Sequence, residues 1–265
     1  MCDAYSGAAL VIAASMANNS NERCFSNEPS LRWHQDISLK LEHGQLLDVS
    51  IRKGHPHPTA LWWPLRKRAW VFQEQVLAQR VLHFLHGEVC YQCTVTDTYQ
   101  CGGGPLGDNH YRLKYRDGFS WWTWAQPYTG LDITFKSDKL PAIGGLAQSY
   151  ELAYPELKGT YLAGLWKGTL LTDLCWTVPY GSDRRPKPKE WRAPSWTWVS
   201  CDGGGVLNVS RLKDPVHVKV LEANCVLEGA NPYGELASGY LVLSSDVELI
   251  EVSLRRHLKL GGGGQ

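Results

Sequence analysis

The stretch "RAWVFQEQVLAQRVLHF", residues 68–84, decides how this chain is read. Its first half places apolar residues at helical spacing, and its end, "RVLHF", alternates in the manner of a strand. On a wheel of about 100° per residue, Leu65, Ala69, Phe72 and Val76 form one stripe, with Trp70 and Leu77 forming a second beside it. Gln73 falls between the stripes and Glu74 at the edge of the arc. A side-chain amide buried without partners costs roughly 1–3 kcal/mol, so Gln73 is expected to bond a specific group in the core.

Upstream, "MCDAYSGAALVIAAS" (1–15) predicts a short helix and then a buried strand around Leu10–Ala14. The polar run at 18–30 is a loop, and "ISLKLEHGQLLDVSIRK" (37–53) predicts a hairpin hinged near His43 and Gly44. Proline-rich "GHPHPTALWWP" (54–64) resets the chain direction. Downstream, "RVLHFLHGEVCYQC" (80–93) predicts two strands joined at Gly87, and "CGGGPLGDNH" (101–110) a loop. A short helix in "FSWWTWAQPYTG" (119–130) is expected to end by Pro127. The next, capped by Ser137 or Asp138, runs through "DKLPAIGGLAQSYELAY" (138–154), where Pro141 is tolerated in the first turn.

A third helix is predicted over Tyr161–Trp176, with Leu162, Trp166, Thr169, Leu170 and Leu174 in an apolar arc that also contains Asp173. "SWTWVSC" (195–201) predicts a strand with Trp196 and Trp198 on one face, packed over that helix. The alternation of "VHVKVLEANCVLEG" (216–229) and "GYLVLSSDVELIEVS" (239–253) makes the last part β-rich, before a glycine tail. A carboxylate inside an apolar arc needs a cation or several N–H donors, and Arg68 and Arg80 flank the first helix as candidates. Gln73 and Asp173 are therefore expected to share a buried polar network between the two helices.

With 27 Lys plus Arg against 26 Asp plus Glu, the net charge of +1 supplies no basic field for nucleic acid or anionic lipid. The apolar run Ala8–Ala14 is too short for a membrane span and lacks the basic flank of a secretion signal, so a cytoplasmic chain without a membrane partner is expected. Eight cysteines in 265 residues are too dilute for a disulfide scaffold, and most are expected as thiols. Twelve tryptophans, clustered at 62–63, 121–124 and 191–198, point to core and interface.

Cys90 and Cys93, with Cys101 and the preceding His83 and His86, are the candidate metal set. Strand residues three apart face opposite ways and no second C-x-x-C follows, so no metal is assigned and no cofactor is expected. The glycine-rich runs at 101–107 and 201–206 lack the lysine and strand–helix context of phosphate loops, and there is no G-x-S-x-G elbow. The basic run "DRRPKPKEWR" (183–192) reads as a solvated loop.

These pieces resemble the fungal heterokaryon incompatibility (HET) domain proteins. "RAWVFQE" (68–74) looks like the family's Arg-x-Trp-x-x-Gln-Glu signature, and "LAQRVLHF" (77–84) like the strand after it. "MCDAYSGAALVIAAS" is similar to the helix and strand that precede the signature. "DKLPAIGGLA", "YLAGLW", "LLTDLCW" and "APSWTWVS" look like segments that commonly follow the domain. The resemblance implies an α+β chain: a C-terminal portion of an α/β-like HET domain over 1–86, a helical region over 87–200, and a β-rich region over 201–265. The family's Ser-Tyr-x-Trp-Gly and Asp-x-x-Cys-Ile-x-Gln type segments do not occur, so the chain is expected to begin part-way through the domain. It also implies a role in non-self recognition and programmed cell death through a protein partner. Arg68, Trp70, Gln73, Glu74, Arg80, Asp173, Trp196 and Trp198 are then the residues expected to matter. A remote similarity suggested between this family and TIR domains supplies the alternative, an NAD-cleaving or secondary-metabolism enzyme with a pocket near Gln73, Glu74 and Asp173.

Overall fold

The computed structural model describes residues 2–22, 24, 34–52, 63–86, 88–100, 120–157, 159–178, 188, 190–202, 206–208 and 218–245. Trp62, Cys101, the expected loop at 101–110 and everything after 245 lie outside the described residues. The chain is α+β. Helix α1 (Cys2–Ser6) leads into strand β1 (Val11–Ala13), as the sequence predicts. A 3₁₀ turn over Pro64–Lys67 then starts helix α2 (Ala69–Leu77), which delivers the chain to β4 (Arg80–Leu85).

β1 and β4 pair parallel, in the register Val11↔Val81 and Ala13↔His83. Parallel neighbours need a crossover, and α2 lies within it. β5 (Glu88–Cys93) and β6 (Asp97–Tyr99) extend the sheet antiparallel, in the order β1-β4-β5-β6. Two-residue periodicity turns Val81, His83 and Leu85 inward from β4, Cys90 and Gln92 from β5, and Asp97 and Tyr99 from β6. β1 is less buried than expected, with Ile12 65 % exposed. The hairpin of β2 (His34–Lys40) and β3 (Leu46–Arg52) turns at 41–45 with Gly44 at φ +75°, and leaves Leu39, Leu46, Leu47 and Ile51 exposed.

Helix α3 (Trp122–Thr129) carries Pro127 in its last turn instead of ending before it. Helix α4 (Pro141–Ala153) has Pro141 in its first turn, as expected, while the 3₁₀ turn Lys136–Lys139 occupies the place of the predicted cap. α4 is the hub of the main core, buried against α2, α3 and the later segments. That core joins Ala69, Val76 and Leu77 of α2 to residues from α3, α4 and 162–166, and to Trp198, Tyr233 and Leu236, while the β1-β4-β5-β6 sheet buries its apolar residues in two smaller clusters.

Two expectations fail. The helix predicted over 161–176 is instead a hairpin of β7 (Tyr161–Leu162) and β8 (Leu165–Trp166), a 3₁₀ turn over 167–169, the short helix α5 (Leu170–Asp173) and strand β9 (Trp176–Thr177). Ala163 and Gly164 between the strands take φ of 52° and 89°, the left-handed pair of a two-residue hairpin turn, which no right-handed helix accommodates. The strand predicted over 195–201 is a turn followed by a 3₁₀ turn over Trp198–Ser200. Thr197 caps it by accepting the N–H of Val199 at 3.3 Å, a local bond that displaces a sheet ladder. Trp196 and Trp198 therefore do not share a strand face: Trp198 is fully buried and Trp196 half-buried.

β10 (Leu207–Asn208) pairs with β9. β11 (Val218–Leu227) and β12 (Leu236–Ser245) are two of the strands expected in the β-rich last part; they pair as an antiparallel hairpin whose loop sends Tyr233 into the main core.

Candidate functional site

The signature on α2 ends on partners inside the fold. Trp70 donates its indole N–H to Asp138 Oδ2 at 3.0 Å, tying α2 to the turn before α4. Gln73 is 3 % exposed, and its Oε1 accepts the backbone N–H of Gly145 on α4 at 3.0 Å. The approach demands glycine: a Cβ on Gly145 would lie 2.7 Å from that oxygen. Glu74 takes a hydrogen bond from Tyr5 of α1; burial raises its carboxyl above the ordinary range, while Tyr5 and then Arg68 pull it back. Arg68 is exposed at the start of α2, where its backbone bridges Asp132. Among the described residues, Arg80 reaches the carbonyl of Ala9, at 3.5 Å.

Asp173 is buried, as its place in the apolar arc required, but its partners differ from those expected. Its Oδ1 accepts the indole N–H of Trp122 at 2.9 Å, and its Oδ2 the hydroxyl of Thr169 at 2.7 Å and the N–H of Trp166 at 3.2 Å. Neither arginine pairs with it, and Gln73 and Asp173 do not share a network. Gln73 fastens α2 to α4, whereas Asp173 fastens α3 to the β8–α5 turn. Burial raises the Asp173 carboxyl, opposed by the three donors.

The later segments converge on one carbonyl. Gly164 O, at the hairpin turn, accepts the indole N–H of Trp121 at 2.7 Å and that of Trp198 at 3.0 Å. Thr197 donates its hydroxyl to the neighbouring carbonyl of Ala163 at 2.5 Å. Trp121 stands edge-on to Trp166 at 5.9 Å, with Tyr150 of α4 at 5.7 Å. Trp198, expected to cover a helix, covers this turn.

The candidate metal residues separate. His83 and Cys90 are cross-strand neighbours on the inner face, while Cys93, at the strand end, accepts the N–H groups of Val95 and Thr96. His86 is exposed and Cys101 lies outside the described residues. Both His83 nitrogens are engaged, Nδ1 with Ser15 Oγ at 2.8 Å and Nε2 with Gln92 Oε1 at 3.1 Å. Gln92 turns its NH₂ to Asp97 at 3.4 Å and receives Arg66 on Oε1 at 3.2 Å. That orientation makes His83 Nε2 the donor and Nδ1 the acceptor of the Ser15 hydroxyl. Ser15 and His83 thus have the geometry of a nucleophile and its base, yet both are fully buried. Among the described residues no cluster of three or more His, Cys, Asp or Glu is placed to hold a metal.

Two cavities open elsewhere. One of about 430 Å³ lies between the 136–139 turn, Pro188, residues 190–202 and the β11–β12 loop; one of about 370 Å³ lies between α4, the β7–β8 hairpin and the same loop. Neither is lined by Gln73, Glu74, Asp173, Ser15 or His83. The first is floored by Lys139 and by Arg192, the last residue of the basic run that the sequence presents as a solvated loop. A lysine two residues before a helix-starting proline reads as a solvated residue of the helix flank, and only the packing of 198–202 onto it reveals its burial.

No family model, no curated protein and no solved structure matches the chain.

Proposed function

We propose that this chain acts as a contact module of the heterokaryon-incompatibility type, signalling in fungal non-self recognition and programmed cell death by binding a protein partner. One observation carries the reading: Trp70, Gln73, Glu74, Asp173 and Trp198 each bond a partner inside the fold, and none of these five lines either cavity. Residues held this way position surfaces instead of substrates. The outward apolar side chains of the β2–β3 hairpin, Leu46 at 70 % exposure among them, support a protein as the partner. No helix among the described residues is long and apolar enough to cross a membrane.

Expression in a filamentous fungal host is expected to arrest growth while cellular NAD stays level until death. Gln73→Leu, which leaves the α4 contact unmade, is expected to relieve the arrest. Unimpaired growth on expression of the chain, or a fall in NAD that precedes arrest, would overturn the proposal.

A further inference from the structure

Lys139 and Arg192 are buried cations beyond those the signature residues use. Lys139 Nζ donates to Cys201 O at 2.5 Å and Trp198 O at 3.4 Å, and stands 5.4 Å from the Trp198 ring. The Arg192 side chain is 9 % exposed, and its Nε donates to Val199 O at 2.7 Å. Its Nη1 forms an ion pair with Asp202 Oδ1 at 2.6 Å, while Nη2 meets no acceptor among the described residues. Lys136 approaches the same carboxylate oxygen at 3.9 Å. Arg192 and Lys136 thus share one carboxylate, and Lys139 joins them in lining the cavity of about 430 Å³. The other acids that line it, Glu190, Glu228 and Glu235, are exposed and stand at its rim.

A buried guanidinium N–H without an acceptor costs about 1–3 kcal/mol or more, because it has lost water and gained nothing. An oxyanion supplies that acceptor: arginine meets it with a planar fork and lysine as a point charge. We propose that this cavity binds a small oxyanion, a carboxylate or a tetrahedral phosphate-like group, with Arg192 and Lys139 holding the charge and Lys136 at the mouth. The rim glutamates repel polyanions, so the fitting ligand carries one anionic group on a neutral or cationic body. Trp191, 54 % exposed beside the cavity, offers that body an apolar surface.

Burial, and then the neighbouring Arg192, push the Lys139 ammonium down to about 7, while Asp202 and Cys201 pull it up and Lys136 lowers it further. An anion favours the charged lysine, so binding takes up a proton and strengthens as pH falls. If only the protonated form binds well, affinity rises by about tenfold between pH 8 and pH 6.

Titration calorimetry of the full chain with sulfate, which does not itself titrate in that range, and in parallel with acetate, tests the site. Saturable binding with Kd on the order of 1 mM or tighter is expected for at least one of them. A preference for sulfate assigns the tetrahedral group, and a preference for acetate the carboxylate. Arg192→Gln is expected to abolish binding, and Lys139→Met to leave weak binding without pH dependence. Lys136→Gln, at an exposed position that leaves the fold intact, is expected to weaken it severalfold. Absence of saturable binding by both anions, a pH-independent affinity in the unmodified chain, or unchanged affinity in Lys136→Gln would overturn the proposal.

Discussion

Gly164→Ala is expected to lower the stability of the chain by about 3 kcal/mol or more, which for a domain of this size moves Tm down by about 6–12 °C. Two costs add. Gly164 sits at φ +89°, where a side chain is strained, and its new Cβ would lie 2.8 Å from the ring of Trp198. Trp198 has nowhere to retreat: it is fully buried, its indole N–H is bonded to Gly164 O, and Lys139 stands over its ring. Gly44→Ala separates the terms. Gly44 has φ +75° with nothing within 4 Å of a built Cβ, so that variant bears the backbone strain alone, about 1 kcal/mol. Urea unfolding of both variants makes the comparison, and equal losses would show that Gly164 is not packed as described.

Asp173→Ala is the second large effect, a loss of about 3 kcal/mol, because it strands three donors at once: the indole of Trp122, the hydroxyl of Thr169 and the amide of Trp166. Asp173→Asn is expected to lose about half as much, since its oxygen still accepts while its NH₂ faces donors. The pH dependence has a fixed sign. Burial holds the folded carboxyl above its unfolded value of about 3.9, so the folded chain binds the extra proton. The contribution of this group is therefore fullest below the unfolded pKa and declines as pH rises through the folded one. Stability curves for the unmodified chain and Asp173→Asn should draw apart towards low pH; parallel curves would mean that the carboxyl is not shifted by burial.

What the sequence disclosed followed from local physics. The α2–β4 join, the hairpin at Gly44 and the paired strands at 80–93 are announced by period and turn residues within a few positions. Gln73 and Asp173 were legible as buried polar groups because each breaks an apolar arc, but their partners were not, since Gly145 and Trp122 lie far away in the chain. At 161–176 the helical period of Leu162, Trp166 and Leu170 is overridden by the left-handed Ala163–Gly164 pair, which makes a hairpin turn. Two-residue strands are too short to show an alternation of their own. The burial of Lys139, and of Arg192 at the end of a basic run that reads as a solvated loop, is not legible for a different reason: long cationic residues are usually exposed, and their burial here depends on contacts with 198–202.

The central claim is that the signature and the later segments build a single core around the Gly164 carbonyl and α4. Hydrogen exchange of the tryptophan indole N–H groups, followed by NMR with each signal assigned by a Trp→Phe variant, reads that core directly. Trp121, Trp122 and Trp198 are predicted to exchange slowly, in step with global unfolding, while the exposed Trp191 exchanges quickly. Fast exchange at Trp121 and Trp198, with a rate like that of Trp191, would mean that their shared acceptor is absent and would contradict the account.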